Sequence, residues 1–115
     1  MEPVDFYKCL ADATRLKALS LIQLESELCV CELMSALDES QPKISRHLAH
    51  LRKAGLLVDR KQAQWVYYRI NPSLPSWLKQ IIELSAENIE LLTESLSNLQ
   101  KMGNRPQRQS ICCNN

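Results

Sequence analysis

Glycine is almost missing from this chain of 115 residues, which carries only Gly55 and Gly103. A phosphate-cradling loop needs several glycines close together, so no dinucleotide fingerprint and no Walker loop can be written. The scarcity also argues against an all-β fold, whose many turns draw on glycine. Long apolar runs are lacking too, and nothing approaches the ~20 residues that cross a bilayer. No basic leader precedes an apolar stretch and a small-residue cleavage site, so a cytoplasmic protein without a membrane partner is expected. Paired C-x-x-C spacing is absent, although there are five cysteines: Cys9, Cys29, Cys31, Cys112 and Cys113. An odd count without a leader points to reduced thiols rather than a disulfide framework.

What is present suits one domain. The apolar share of 45% fills a single core, and the length is too short for two. The net charge of +1 conceals a block. Residues 1–39 carry three basic side chains against eight acidic ones, whereas residues 40–69 carry seven basic ones against Asp59 alone. A neutral chain with one concentrated basic block suggests a face for a polyanion.

The helical signals fall in the same place. Asp12 suits the N-cap of a helix whose stripe is Leu16, Leu19 and Ile22. Glu25-Ser26-Glu27 reads as a connector, and Val30, Leu33, Met34 and Leu37 recur at helical spacing. Ser40 is a good N-cap, Pro42 falls in the first turn, and Gly55 ends the helix that buries Ile44, Leu48 and Leu51. Two helices joined by a short turn, the second one basic, form a helix-turn-helix pattern. The period then changes: Leu57-Val58, a polar turn over 60–64, and Trp65 to Ile70 read as a hairpin, hence a wing. The fold expected is mainly α with a small β-hairpin, a winged helix-turn-helix, homodimeric through its terminal helices.

On the basic helix, Ser40, Gln41, Lys43, Ser45 and Arg46 lie at the end that enters the major groove in such folds, with His50 further along the outer face. Arg reads guanine, Gln reads adenine and Ser suits phosphate. Arg60 and Lys61 are expected at the wing tip, on backbone phosphates. The partner is double-stranded operator DNA. A last helix over about 76–102, capped by Ser76, carries Leu78, Ile82, Ile89, Leu92, Leu96 and Leu99 in alternating steps of four and three, broken by Ser85. Such a seam pairs with a second helix, here that of a second copy. A two-fold dimer calls for an inverted-repeat operator. Residues 1–102 make the domain, and 103–115 a polar, disordered tail ending in Cys112-Cys113.

Cys29 and Cys31 are expected near the start of the helix before the basic one. In a regular helix, residues two apart point about 200° from each other. One ion held by both sulfurs needs them within about 4.6 Å. Binding must therefore bend that helix, which suits a switch and a soft, thiophilic ion.

The runs Glu27-Leu28-Cys29-Val30-Cys31-Glu32-Leu33, Ser40-Gln41-Pro42-Lys43-Ile44-Ser45-Arg46-His47-Leu48 and Leu51-Arg52-Lys53-Ala54-Gly55-Leu56 closely resemble the ArsR/SmtB family of bacterial repressors, in its arsenic-responsive branch. The resemblance implies a winged-helix homodimer that represses an arsenic-resistance operon. As(III) or Sb(III) at Cys29 and Cys31 is the implied inducer, with no organic cofactor. Met34 stands where many members of this branch carry a third cysteine, so Cys112 and Cys113 are additional candidate ligands. Three rivals remain open: a zinc or cadmium sensor, a redox sensor, and a small thiol enzyme. The last is disfavoured by the missing C-x-x-C and general base.

Overall fold

Local capping fixes where the helices begin. In a computed structural model describing residues 1–104 and 108 (Ile89 by its backbone alone), the elements are α1 Pro3–Leu10, α2 Ala13–Glu25, β1 Leu28–Cys29, α3 Val30–Leu37, α4 Gln41–Lys53, β2 Leu57–Gln62, β3 Trp65–Ile70, α5 Ser76–Ser85 and α6 Ile89–Lys101. Asp12 accepts from the Arg15 N–H at 3.0 Å and starts α2. Ser40 accepts from the Lys43 N–H at 3.4 Å and starts α4. Gly55, at φ +88°, ends α4: its N–H donates to Arg52 O and that of Leu56 donates to Leu51 O, both at 3.0 Å. That pair of bonds is a Schellman motif, which needs a left-handed residue.

Helix α2 is the centre. Its Ala18, Leu19, Leu21 and Ile22 are buried, and every other helix packs on it. Helix α6 lies along α3, where the Asn98 amide donates to Ala36 O at 3.1 Å. The sheet is antiparallel in the order β1-β3-β2.

Several expectations are corrected. The last helix is two helices. Ser85, the polar break in the seam, donates its hydroxyl to Ile81 O at 2.8 Å, a back-bond that weakens a helix. The chain tightens through Glu87 N–H to Leu84 O, and Asn88 caps α6 by accepting from Leu91 N–H at 3.2 Å. Ser76 is not a cap: the N-cap of α5 is Pro75, and the Ser76 hydroxyl accepts from the Gln80 amide instead. The seam largely faces inward. Leu78, Ile82, Leu92 and Leu99 are at most 2% exposed in the chain's own core, and Leu96 packs against it. Strand β2 runs on to Gln62, so Arg60 and Lys61 lie within the strand and the tip is Ala63-Gln64. Leu28 and Cys29 form a third strand opposite Tyr68 and Tyr67, which places Cys29 before the helix rather than in it.

Candidate nucleic-acid interface and thiol site

Helix α4 turns Ile44, Leu48 and Leu51 into the core at 1% exposure or less. Gln41, Pro42, Arg46, Ala49, His50 and Lys53 are exposed on its other side, while Lys43 and Ser45 are half-buried. Ser40 is exposed but spends its oxygen on the cap. Lys43 pairs with Glu39 at 2.9 Å, and Arg52 with Asp59 at 3.6 Å. Among the described residues no ion pair engages Arg46, Lys53 or Lys61. The outer face therefore combines unpaired cations with small side chains, which permits close approach to phosphates and base edges.

His47 serves the scaffold. Arg15 donates through Nε to Cys9 O at 2.8 Å and through one terminal nitrogen to Lys8 O at 3.1 Å, and so caps α1. Its other terminal nitrogen reaches His47 Nδ1 at 3.5 Å, while His47 Nε2 lies 3.9 Å from the Asp12 carboxylate. Burial chiefly, with Arg15, Arg46 and Lys43 adding to it against Asp12, holds the imidazole below its ordinary range.

The wing carries a second tether. Arg60 donates twice to the Glu27 carboxylate, at 2.6 Å each, and to the Gln62 side-chain oxygen at 2.7 Å. Its guanidinium lies 4.8 Å from the centre of the Tyr67 ring. Both Arg60 and Lys61 are exposed, but Arg60 is committed within the protein, whereas Lys61 has no ion pair among the described residues.

The two cysteines sit where β1 becomes α3, and of the pair Cys29 is the free thiol while Cys31 is disulfide-bonded. Cys29 is the N-cap, with extended backbone at φ −94° and ψ 170°, and is 3% exposed. Its N–H donates to Glu32 Oε1 at 3.0 Å, and its sulfur faces the Glu32 N–H, closing a capping box. The other oxygen of Glu32, a residue 1% exposed, accepts from Arg108 at 2.9 Å. Arg108 also donates to Glu25 at 3.0 Å and to Gly103 O at 2.9 Å. Burial pushes the Cys29 thiol up to about 11. Cys31 is half-buried one turn from Met34. Both line a cavity of about 290 Å³ with Cys29, Val30, Gln64, Trp65 and Val66, and a second of about 610 Å³ reaching Glu94, Asn98 and Met102 of α6 and its end. No cluster of three His, Cys, Asp or Glu side chains suited to a metal ion occurs among the described residues. Cys112 and Cys113 lie outside them.

The structure thus brings Cys29 and Cys31 together at one junction and sets Gln41, Arg46 and His50 on one outer face. Sequence reasoning passed over Glu27, Glu32 and Arg108. Glu32 had a signal, since three residues separate it from Cys29 as in a capping box. Glu27 and Arg108 had none.

The family model described as "Bacterial regulatory protein, arsR family" matches residues 12–58. The arsenic resistance transcriptional regulator ArsR2 of Pseudomonas putida is 53% identical over 112 residues, which is 96% of this chain and 97% of that one. The arsenical resistance operon repressor of Escherichia coli is 57% identical over 81 residues, 70% of this chain and 69% of that one. Among solved structures, the AntR antimony-specific transcriptional repressor superposes with a TM-score of 0.62 at 28% identity, covering 76% of each chain. No helix among the described residues is long and apolar enough to cross a membrane.

Proposed function

The chain belongs to the ArsR family of DNA-binding transcriptional repressors, in its arsenic-resistance branch, and from that premise we propose that it represses an arsenic-resistance operon and is released by As(III) or Sb(III) at Cys29 and Cys31. The family consists of regulators, not catalysts. The observation that carries the proposal is the position of the two cysteines, whose sulfurs are both available to an ion once Cys31 is reduced. They stand at the junction of β1 and α3, directly before the helix-turn-helix, in a donor set of sulfur without imidazole. Such donors select soft ions over zinc held by histidine and carboxylate. The relatives' names point the same way, two to arsenic and one to antimony.

The switch follows from the capping box. To share one ion with Cys31, the Cys29 sulfur leaves the Glu32 N–H, and the start of α3 is rebuilt. DNA and inducer then oppose each other by linkage, each weakening the other by the same factor. Operator contacts are assigned to Gln41, Lys43, Ser45, Arg46, His50 and Lys61, with Ser40 shaping the helix end. Residues 1–102 act as the DNA-binding and dimerising unit.

The test is operator binding titrated in parallel with arsenite, antimonite, zinc, cadmium and hydrogen peroxide. Cys29→Ser and Cys31→Ser should each bind operator as the wild type does, yet stay bound in arsenite. A double variant released at the wild-type arsenite concentration would overturn the assignment. Release by zinc or by peroxide alone would favour the other sensor classes. Cys112→Ser with Cys113→Ser tests a tail ligand: lost release assigns the third donor to the tail.

A further inference from the structure

Three independent contacts join the thiol junction to the wing. The first is the sheet: β1 is an edge strand of two residues, and Cys29 pairs with Tyr67 of β3. The second is the ion pair: Glu27, two residues before Cys29, receives both arms of Arg60, which also rests on the Tyr67 ring. The third is the shared cavity, whose walls are Cys29, Val30, Cys31 and Met34 on one side and Gln64, Trp65 and Val66 of the wing on the other. By contrast, α3 meets α4 through the apolar core, where Leu33, Ala36, Ile44 and Leu48 are at most 1% exposed. A packed core resists small displacements. Strand β1 is only two residues long, yet its Leu28 and Cys29 are buried at 0% and 3% exposure against β3, so Cys29 cannot move without moving the strand it pairs with.

We propose that the wing is an output of the thiol site, with Glu27 and Arg60 as positioning residues that carry displacement of Cys29 into the β2–β3 hairpin. Pulling Cys29 out of its capping box lifts β1 from β3, draws Glu27 from Arg60 and removes one wall of the hairpin. The wing then loses the orientation from which Lys61 meets phosphate. This deepens the reading of a thiol-sensed repressor and rests on it.

Two variants test the link. Glu27→Gln keeps size but removes the charge. Arg60→Lys keeps the charge but lacks the planar fork that grips both carboxylate oxygens. In the first arm, operator affinity is measured with and without saturating arsenite, while ultraviolet absorption of sulfur–arsenic bonds monitors binding. Both variants should bind arsenite with wild-type stoichiometry, but the fold loss of operator affinity should shrink by roughly threefold to tenfold. In a Trp77→Phe background, Trp65 fluorescence should change with arsenite, and less so once Glu27 is replaced.

The second arm needs no arsenite. Because coupling is reciprocal, operator DNA should slow alkylation of Cys29, read by mass spectrometry, and Glu27→Gln should abolish that protection. Wild-type coupling in both variants, or DNA protection of Cys29 that Glu27→Gln leaves intact, overturns the wing link. A wild type unmoved by arsenite, with protection that depends on Glu27, instead overturns the metalloid reading and keeps the link.

Discussion

Glu32 is a buried carboxylate at the first turn of α3, and two groups make its charge tolerable: the Cys29 N–H at 3.0 Å and Arg108 at 2.9 Å. Breaking a buried pair by removing one partner leaves a charge without compensation, which costs several kcal/mol when both partners are fully enclosed. Arg108 keeps 13% of its side chain exposed and Glu25 29%, so the cost is discounted here. Arg108→Gln should destabilise the protein by about 2 kcal/mol in urea unfolding. It should also loosen the capping box, so that release from the operator needs less arsenite. Unchanged stability and an unchanged arsenite midpoint together would remove Arg108 from this role. The thiol itself gives a pH signature. Burial raises Cys29 from 9.0 to about 11, so the folded state favours the neutral thiol. The unfolded chain loses this proton first, and stability should decline as pH climbs from about 9 towards 11. Cys29→Ala should flatten that decline, as followed by thermal melts across the range.

At the scale of elements, the division of the C-terminal helix matters most for how variants are read. Asn88 closes α6 with one side-chain bond, so Asn88→Ala should cost about 1 kcal/mol in urea unfolding, the worth of a lost N-cap. A continuous helix through 86–88 would make the same change neutral or stabilising, since alanine is the better helix former. Leu92, at 0% exposure, answers as core: Leu92→Glu should unfold the chain rather than merely separate two copies. Much of this architecture was legible. Asp12, Ser40, Pro42 and Gly55 each mark a helix end by local chemistry, and the buried triad Ile44, Leu48 and Leu51 follows from spacing alone. The break at Ser85 was visible as one polar position in the seam, but the apolar spacing resumes in register beyond it and masks the turn. Strand β1 was illegible because two residues carry no period. Its pairing is decided by β3, some forty residues further on. The contacts of Arg60 with Glu27 and of Arg108 with Glu32 join distant segments, which no spacing rule anticipates.

For the whole molecule, the inward seam moves the proposed dimer contact to another surface. A surface strip of large apolar side chains remains on the terminal helices: Val4 is 64% exposed, Tyr7 52%, Trp77 39% and Leu84 63%. Buried Phe6 joins the two helices, with Tyr7 at 5.3 Å and Trp77 edge-on at 5.8 Å between ring centres. Trp77 and Leu84 are seven residues apart and share a face of α5, beside the half-buried Ile81. Large apolar side chains left in solvent on neighbouring helices of a small domain suit an interaction surface. A strip that crosses α1 and α5 can meet its own copy about a two-fold axis, which sets two α4 helices on two half-sites. Leu84→Glu tests this without touching the core, because Leu84 is already largely in solvent. The variant should melt as a folded protein, sediment as a monomer and bind the inverted-repeat operator at least about tenfold more weakly. A single half-site should be bound as the wild-type protomer binds it, since α4 and the wing are unaltered. A Leu84→Glu protein that stays dimeric would place the two-fold axis elsewhere on the chain.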